Sequence, residues 1–264
     1  MFLRDIRSIF TSSLAFALAC PILFAIPVLV EFAQHVVELE AGMYVDTASA
    51  QVAEADPLRM EFGLAKTLAL LLPGYWFVRY LLLGRDARRA GRIEMPAFGL
   101  WFAIFSLSAL RMWLSLFGPT LGELTGLDEA VASPLSMGLG FVEMALMIYL
   151  AVWLVAWPVG NSRLGPIRSA RIMSGSFWYA AGLFVAGFLP LMVVHYGLAI
   201  AAVLWLPGWA DWLAMIADSV VVGFLALTMT GATVLGAQRA AERKGIALLP
   251  QPGEAGEEPR AVTE

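Results

Sequence analysis

Long apolar blocks alternate with short polar connections along this chain. Six of the blocks run for roughly 20 residues or more, the length that an α-helix needs to cross about 30 Å of hydrocarbon. The pattern predicts an all-α, polytopic membrane protein with six transmembrane helices in a single domain over residues 1–245. The expected spans are residues 9–30, 64–83, 97–117, 135–157, 177–206 and 212–235.

Basic residues predict how these spans are oriented. The segment from Gly84 to Pro96 carries four arginines between the second and third spans. Short loops rich in Lys and Arg stay in the cytoplasm. Most of the 17 Lys and Arg residues fall on that same side, and the outer loops hold only Arg59. The asymmetry predicts a protein of the bacterial inner membrane with both termini in the cytoplasm.

The polar connections differ in length and character. Residues 31–60 form the longest one, an acidic extracytoplasmic loop that we expect to be partly helical, because apolar residues recur in it at helical spacing. Asp46 is a candidate N-cap for a short helix within it. Residues 246–264 are rich in Pro, Gly and Glu, which predicts a disordered cytoplasmic tail.

Prolines mark where the spans should bend. Pro21 and Pro27 lie in the first span, the pair Pro73-Gly74 interrupts the second, and Pro190 lies in the fifth. Each proline removes a backbone donor, so kinks are expected there. The first and fifth spans also align without a gap over nineteen positions, from Ile9 and from Ile172. An internal duplication and a chance match between apolar helices both explain this alignment.

Composition excludes several classes of protein. Hydrophobic residues make up 60% of the 264 residues and charged ones only 14%, and the net charge of −4 argues against a nucleic-acid partner. The single cysteine, Cys20, excludes an intrachain disulfide and most cysteine metal sites. The expected partners are the lipid bilayer and either another membrane protein or a small anionic ligand.

Ionisable residues inside the spans are the candidates for function, because burying a charge in the bilayer costs free energy. Arg79 lies near the inner boundary, where its side chain is expected to reach the interface. The other five form a candidate intramembrane polar cluster, with Arg111 paired to Glu143: Arg111, Glu143, Asp218, His195 and Lys66. Such a cluster would bind an anion or relay a proton; alternatively, it is a structural ion pair that fixes helix packing.

Catalytic motifs are not found. The sequence has no phosphate-binding Gly-Lys loop and no His-Glu-x-x-His motif. Ser174-Gly175-Ser176 has no paired histidine at a similar depth, and His35, assigned to a loop, is not a credible haem ligand with His195. We therefore expect no catalytic residues, no metal and no cofactor.

Residues Pro166 to Pro190 read PIRSARIMSGSFWYAAGLFVAGFLP. This order, a basic stretch, Ser-Gly, aromatic residues with a Trp, then an apolar run to Pro, resembles the membrane domain of glycerophosphodiester phosphodiesterases and related six-span bacterial membrane proteins. The resemblance covers about 25 residues and includes no catalytic motif. It implies a six-span membrane architecture and no assigned chemistry.

Two functional hypotheses follow from the sequence. The first is a non-enzymatic membrane-domain or accessory component. The second is a small permease that uses the intramembrane polar cluster. A lipid-modifying enzyme is a third class, but no residue can be named for its reaction.

Overall fold

The computed structural model describes residues 1–250, and every regular element in that range is helical. The helices are α1 Phe2–Ala19, α2 Pro21–Glu40, α3 Thr47–Glu54, α4 Pro57–Leu71, α5 Gly74–Leu82, α6 Ala87–Gly91, α7 Met95–Phe117, α8 Leu121–Thr125, α9 Glu129–Tyr149, α10 Ala151–Ala156, α11 Pro166–Met173, α12 Phe177–Leu204 and α13 Gly208–Arg243. Within the described range, five helices have the length and composition to cross a membrane: α2, α7, α9, α12 and α13. Over the described residues the fold is all-helical, and these five helices are those of a membrane protein.

The first apolar block is divided into two helices instead of forming one span over residues 9–30. Cys20 leaves the helical conformation, with φ −131° and ψ 59°, and Pro21 begins α2. Proline is favoured at this position because the first helical N–H has no partner in any case. The helix that can cross the membrane is therefore α2, which carries Pro27 inside it and extends ten residues beyond the predicted end of the span.

The second apolar block, predicted as residues 64–83, is also divided. Helix α4 ends at Leu71 and α5 begins at Gly74, with Pro73 between them. The break was predicted from Pro73-Gly74, but it leaves two helices that are each shorter than a membrane crossing. Further along, α9 ends at Tyr149 and the short α10 follows it through the region predicted as the fourth span.

The predicted acidic loop, residues 31–60, is mostly helical. Its first ten residues belong to α2, and α3 and the start of α4 take up much of the remainder. The Asp46 carboxylate accepts a hydrogen bond from the Ser49 N–H at 2.7 Å, so the predicted N-cap of α3 is confirmed. That bond to the backbone lowers the pKa of Asp46.

Helix α13 lies at the centre of the bundle and packs most closely against α12. Small residues allow this approach: Gly187 of α12 lies against the backbone of Thr228, and Gly236 of α13 lies against Ala180. Helices α7 and α9 contrast with this core, since only 6% of the apolar window of each is buried inside the protein. The buried residues of α7 lie at its start, at Ala97 and Trp101, and Ile148 is buried at the end of α9.

Arg79 is buried, so the prediction that its side chain reaches the interface is wrong. It is 1% exposed. Its guanidinium donates to the carboxylate of Glu94 at 2.6 Å and to the carbonyl of Pro158 at 3.2 Å, and it lies over the ring of Tyr75. These partners compensate the charge inside the protein.

The start of the predicted tail packs against the bundle. Leu248 is buried, and the Asn161 amide donates to its carbonyl at 3.1 Å. The segment predicted to be disordered, residues 246–264, therefore begins with residues held by the fold. Residues 251–264 of that segment lie outside the described part of the chain.

Candidate functional site

Three polar residues share one buried face of α2. Glu31, His35 and Glu38 are spaced four and three residues apart, which places them above one another on a helix. Glu31 is fully buried, and His35 and Glu38 are each 4% exposed. This face meets Asp218 of α13, which is 1% exposed. Ionisable groups so deeply buried in a membrane protein need partners, and each of them has one.

His35 connects α2 to α13. Its Nε2 lies 2.9 Å from Oδ2 of Asp218 and 3.4 Å from Oε1 of Glu31. Its Nδ1 lies 2.9 Å from Oε2 of Glu38. Both ring nitrogens therefore face carboxylates, and the imidazole is held in one orientation by contacts on two helices.

Asp218 is shared between two histidines. Nδ1 of His195 on α12 lies 2.8 Å from both oxygens of the Asp218 carboxylate. His195 is the more accessible of the two histidines, since 20% of its side chain is exposed against 5% for His35. The chain His195–Asp218–His35–Glu38 is thus a continuous series of hydrogen-bonded groups across three helices.

Two cations from α4 lie at the rim of the site. Lys66 Nζ is 3.2 Å from Glu31, and Arg59 donates from Nε to Glu38 at 3.0 Å. About a quarter of each cationic side chain is exposed. The hydroxyl of Tyr44 also donates to Glu38, at 2.7 Å, and burial beside this carboxylate raises the pKa of Tyr44. Tyr44 is therefore the protonated donor of that bond.

We call this set of seven residues the charged cluster: Glu31, His35, Glu38, Arg59, Lys66, His195 and Asp218. Its three carboxylates face two permanent cations, and His35 has a carboxylate oxygen 2.9 Å from each ring nitrogen, so a protonated His35 would balance the charge of the cluster. Two buried oxygens, Oε2 of Glu31 in the cluster and Oε1 of Gln34 beside it, have no hydrogen-bond partner among the described residues. A bound cation would take the place of the His35 proton and would partner the Glu31 oxygen.

The structure brings together three of the five residues predicted for an intramembrane cluster, namely Lys66, His195 and Asp218. The other two form a separate ion pair. Arg111 of α7 and Glu143 of α9 are 2.6 Å apart and about half exposed. Over residues 1–250, no hydrogen bond or ion pair connects this pair to the charged cluster.

Sequence reasoning missed the α2 residues of the charged cluster and Arg59. Glu31 interrupts the apolar run, so the stretch after it was assigned to a loop, and His35 with it. The signal that was present is the spacing of Glu31, His35 and Glu38, which repeats at helical intervals. Their burial depends on α13, which no local pattern in α2 indicates.

An apolar cleft begins about one helical turn from the charged cluster. It has a volume of about 450 Å³ and lies between the two helices α7 and α9 and the core helices α4, α12 and α13. The part of the cleft nearest the charged cluster is lined by Thr67 and Val222. Thr67 follows Lys66, and Val222 lies one turn after Asp218. Thr230 and Thr233 also line it, but their hydroxyls donate to carbonyls of their own helix.

Comparison with protein-family models, with curated proteins and with solved structures finds no match for this chain.

Proposed function

We propose that this chain is a small, non-enzymatic permease of the bacterial inner membrane that binds a cation at the charged cluster. In this proposal α4 and α5 together supply a sixth crossing in addition to the five long helices, and both termini are cytoplasmic. The basic segment Gly84–Pro96 supports this orientation, because it follows α5 directly and resists translocation.

The observation that carries the proposal is the unpartnered carboxylate oxygen of Glu31 in a site buried within the bundle. Three carboxylates on α2 and α13 are at most 4% exposed, and two permanent cations face them, so the charge is balanced only when His35 carries a proton. A mobile cation that replaces this proton would keep the charge balanced and would partner the Glu31 oxygen. The original expectation of a small anionic ligand fits this arrangement less well.

The position of the cluster also supports transport. It lies where the C-terminal ends of α2 and α12 meet the N-terminal ends of α4 and α13. Arg59, Lys66 and His195 are its partly exposed members, so a cation reaches the site from that end. The apolar cleft begins beside the cluster, and its lining extends from Thr67 and Val222 to Val155 and Ala180.

A non-enzymatic accessory component is the second candidate function. Helices α7 and α9 favour it, because their largely exposed apolar surfaces would suit contact with another membrane protein. In that case the charged cluster would hold α2, α4, α12 and α13 together and would not bind a ligand.

Charge-displacement measurements on reconstituted protein separate these two candidates. Proteoliposomes adsorbed on a solid-supported membrane are challenged with jumps in Na⁺, K⁺, Mn²⁺, Zn²⁺ or proton concentration. A permease gives a transient current for at least one of these cations. We expect Asp218→Asn to reduce that current at least about tenfold, since it removes the carboxylate shared by both histidines.

Glu143→Gln is the matched control, because it removes a carboxylate of the separate Arg111 pair. It should leave the current within about twofold of the unmodified protein. Folding of every variant is checked by thermal unfolding in detergent. If the unmodified, folded protein gives no current with any of the five cations, the permease proposal is wrong and the accessory function is favoured.

A further inference from the structure

We propose that the cation is a first-row divalent transition metal such as Zn²⁺ or Mn²⁺, bound by Glu31, His35, His195 and Asp218. This inference rests on the proposed cation-binding function and names the class of cation. Two imidazole nitrogens and two carboxylate oxygens form the ligand set. Sites of mixed nitrogen and oxygen donors suit these metals, whereas Ca²⁺ and Mg²⁺ are bound by oxygen alone.

The ligand atoms are already gathered at suitable distances. Single donor atoms of Glu31, His35 and Asp218 all lie within 4.8 Å of one another. Nε2 of His35 is 2.9 Å from Asp218 and 3.4 Å from Glu31. Ligands about 2.0–2.2 Å from a tetrahedral ion lie roughly 3.3–3.6 Å apart, so small shifts would place these three residues on one ion, and His195, which is outside that group, would have to move farther.

Glu38 supports His35 in the way that metal-bound histidines are usually supported. A histidine that binds a metal through one ring nitrogen commonly donates its other N–H to a carboxylate, which fixes the tautomer. Nδ1 of His35 lies 2.9 Å from Oε2 of Glu38 on the side away from Asp218. Glu38 is itself held by Arg59 and Tyr44. Glu38 is therefore a positioning residue and Nε2 of His35 the ligand atom.

An independent observation at Glu31 indicates a ligand. Glu31 is fully buried, and its Oε2 has no hydrogen-bond partner within residues 1–250, whereas Oε1 meets Lys66 and His35. A buried carboxylate oxygen with no donor is costly. A metal ion at Oε2 would satisfy that atom and leave Lys66 on Oε1.

His195 supplies the fourth ligand from α12. Its Nδ1 reaches both oxygens of Asp218 at 2.8 Å, so it lies beside the position that an ion bound to Asp218 occupies. It is also the ligand with the largest exposed fraction, 20% of its side chain. An ion would meet His195 first and then the three buried ligands.

The test is metal binding by the full-length protein in detergent. The purified, metal-stripped protein is dialysed against micromolar Zn²⁺, and bound zinc is determined by elemental analysis. We expect one Zn²⁺ per chain. Glu31→Gln and Asp218→Asn should each weaken binding at least about tenfold, and Glu38→Gln about 10–100-fold. Glu143→Gln, which alters only the separate ion pair, should bind as the unmodified protein does.

A second measurement does not depend on the stability of variants. Co²⁺ added to the unmodified protein should give the intense visible absorption of a four-coordinate ion with nitrogen and oxygen ligands, and Zn²⁺ should abolish it. If folded protein binds less than about one-tenth of an equivalent of zinc, or if the ligand variants bind zinc undiminished, the metal assignment is wrong.

The two proposals fail differently. A current with Na⁺, K⁺ or protons and no zinc binding would overturn the metal assignment and retain the permease. Stoichiometric zinc binding without a current from any cation would retain the metal site and overturn the permease.

Discussion

Asp5 shows how a single buried side chain connects the first helix to the last. It is 2% exposed and accepts two hydrogen bonds from Arg239, from Nε and Nη2, each at 2.8 Å. The Tyr179 hydroxyl donates to the same carboxylate. The hydrogen bonds from the Arg239 guanidinium lower the pKa of Asp5 below its ordinary value. The ionised carboxylate therefore contributes to stability.

We expect Asp5→Asn to lower the free energy of unfolding at pH 7 by about 1–3 kcal/mol, since the buried carboxylate that accepts both hydrogen bonds from the partly exposed Arg239 is lost. Because the pKa of Asp5 is lower in the folded chain than in the unfolded one, this contribution is complete above about pH 4. It is lost as the pH falls through the lowered pKa. Thermal unfolding in detergent from pH 7 to pH 3 should show the variant and the unmodified protein converging in acid.

Glu242→Gln is the matched control for Asp5, because Glu242 pairs with the same arginine at the surface. Nη1 of Arg239 donates to Glu242 at 2.9 Å, but 62% of the Glu242 side chain is exposed. Exposed pairs contribute little, so this variant should unfold within about 0.5 kcal/mol of the unmodified protein at every pH. Equal destabilisation by both variants would contradict the role assigned to burial.

At the scale of elements, the contact between α12 and α13 depends on the absence of a side chain at Gly187. A Cβ built there would lie 3.0 Å from the carbonyl oxygen of Thr228, a backbone atom that cannot turn aside. The Thr228 hydroxyl donates to the Gly187 carbonyl at 2.7 Å across the same contact. Small residues allow helices to approach this closely.

Gly187→Ala should therefore destabilise the protein by about 1–3 kcal/mol, as expected for an extra methyl group in a tightly packed contact. The measurement is the midpoint of thermal unfolding in detergent. Gly197→Ala is the control on the same helix, since a Cβ there would have no neighbour within 4 Å. It should be neutral or slightly stabilising, because alanine favours helix more than glycine does. A similar loss at both positions would show that the α12–α13 contact is not the cause.

The sequence predicts a helix well where the local pattern of apolar residues and prolines determines its bounds. It predicts a helix less well where contacts with residues distant in the chain determine them. The apolar blocks gave helices α7, α9, α12 and α13, and the proline positions marked the breaks before α2 and α5. The continuation of α2 through Glu31, His35 and Glu38 was missed. Its polar face is stabilised by Asp218, which lies 183 residues beyond His35. A pairing at that separation leaves no local signal.

The candidate site was predicted in part for the same reason. Lys66, His195 and Asp218 were identifiable because charged residues stand out within apolar blocks. Arg111 and Glu143 stand out equally, but they lie on α7 and α9, which diverge from the core. Depth along each span was readable from the sequence, whereas the direction in which each residue faces around the bundle was not.

For the whole molecule, the orientation in the membrane is the prediction to test. Two exposed positions report the two sides of the membrane. Ala48→Cys, in α3, lies in the segment expected outside, and Gly91→Cys, at the end of α6, lies in the segment expected in the cytoplasm. Each is made in a chain whose own cysteine is replaced, Cys20→Ala. A membrane-impermeant maleimide applied to intact spheroplasts should label Ala48→Cys at least about tenfold more than Gly91→Cys, because the bilayer shields the inner side.

Permeabilised spheroplasts provide the control for this experiment, since both cysteines should then react to a similar extent. Labelling of Gly91→Cys in intact spheroplasts, with Ala48→Cys protected, would mean that the bundle has the opposite orientation. Labelling of both would mean an even number of crossings between them, and the pair α4–α5 would then not form a sixth span.

The distribution of the charged cluster along the chain also bears on how the protein is made. Glu31 and Glu38 meet Lys66 and Arg59 only 35 and 21 residues later, so α2 and α4 can insert as a hairpin whose charges are already balanced. Asp218 meets His195 over 23 residues, by a hydrogen bond that adds no permanent positive charge. The two hairpins emerge far apart, since at about 5–20 residues per second the ribosome needs roughly ten to forty seconds between His35 and Asp218. The contact between these residues is therefore a late docking of two hairpins, and the cluster is complete only when the last helix is in the membrane.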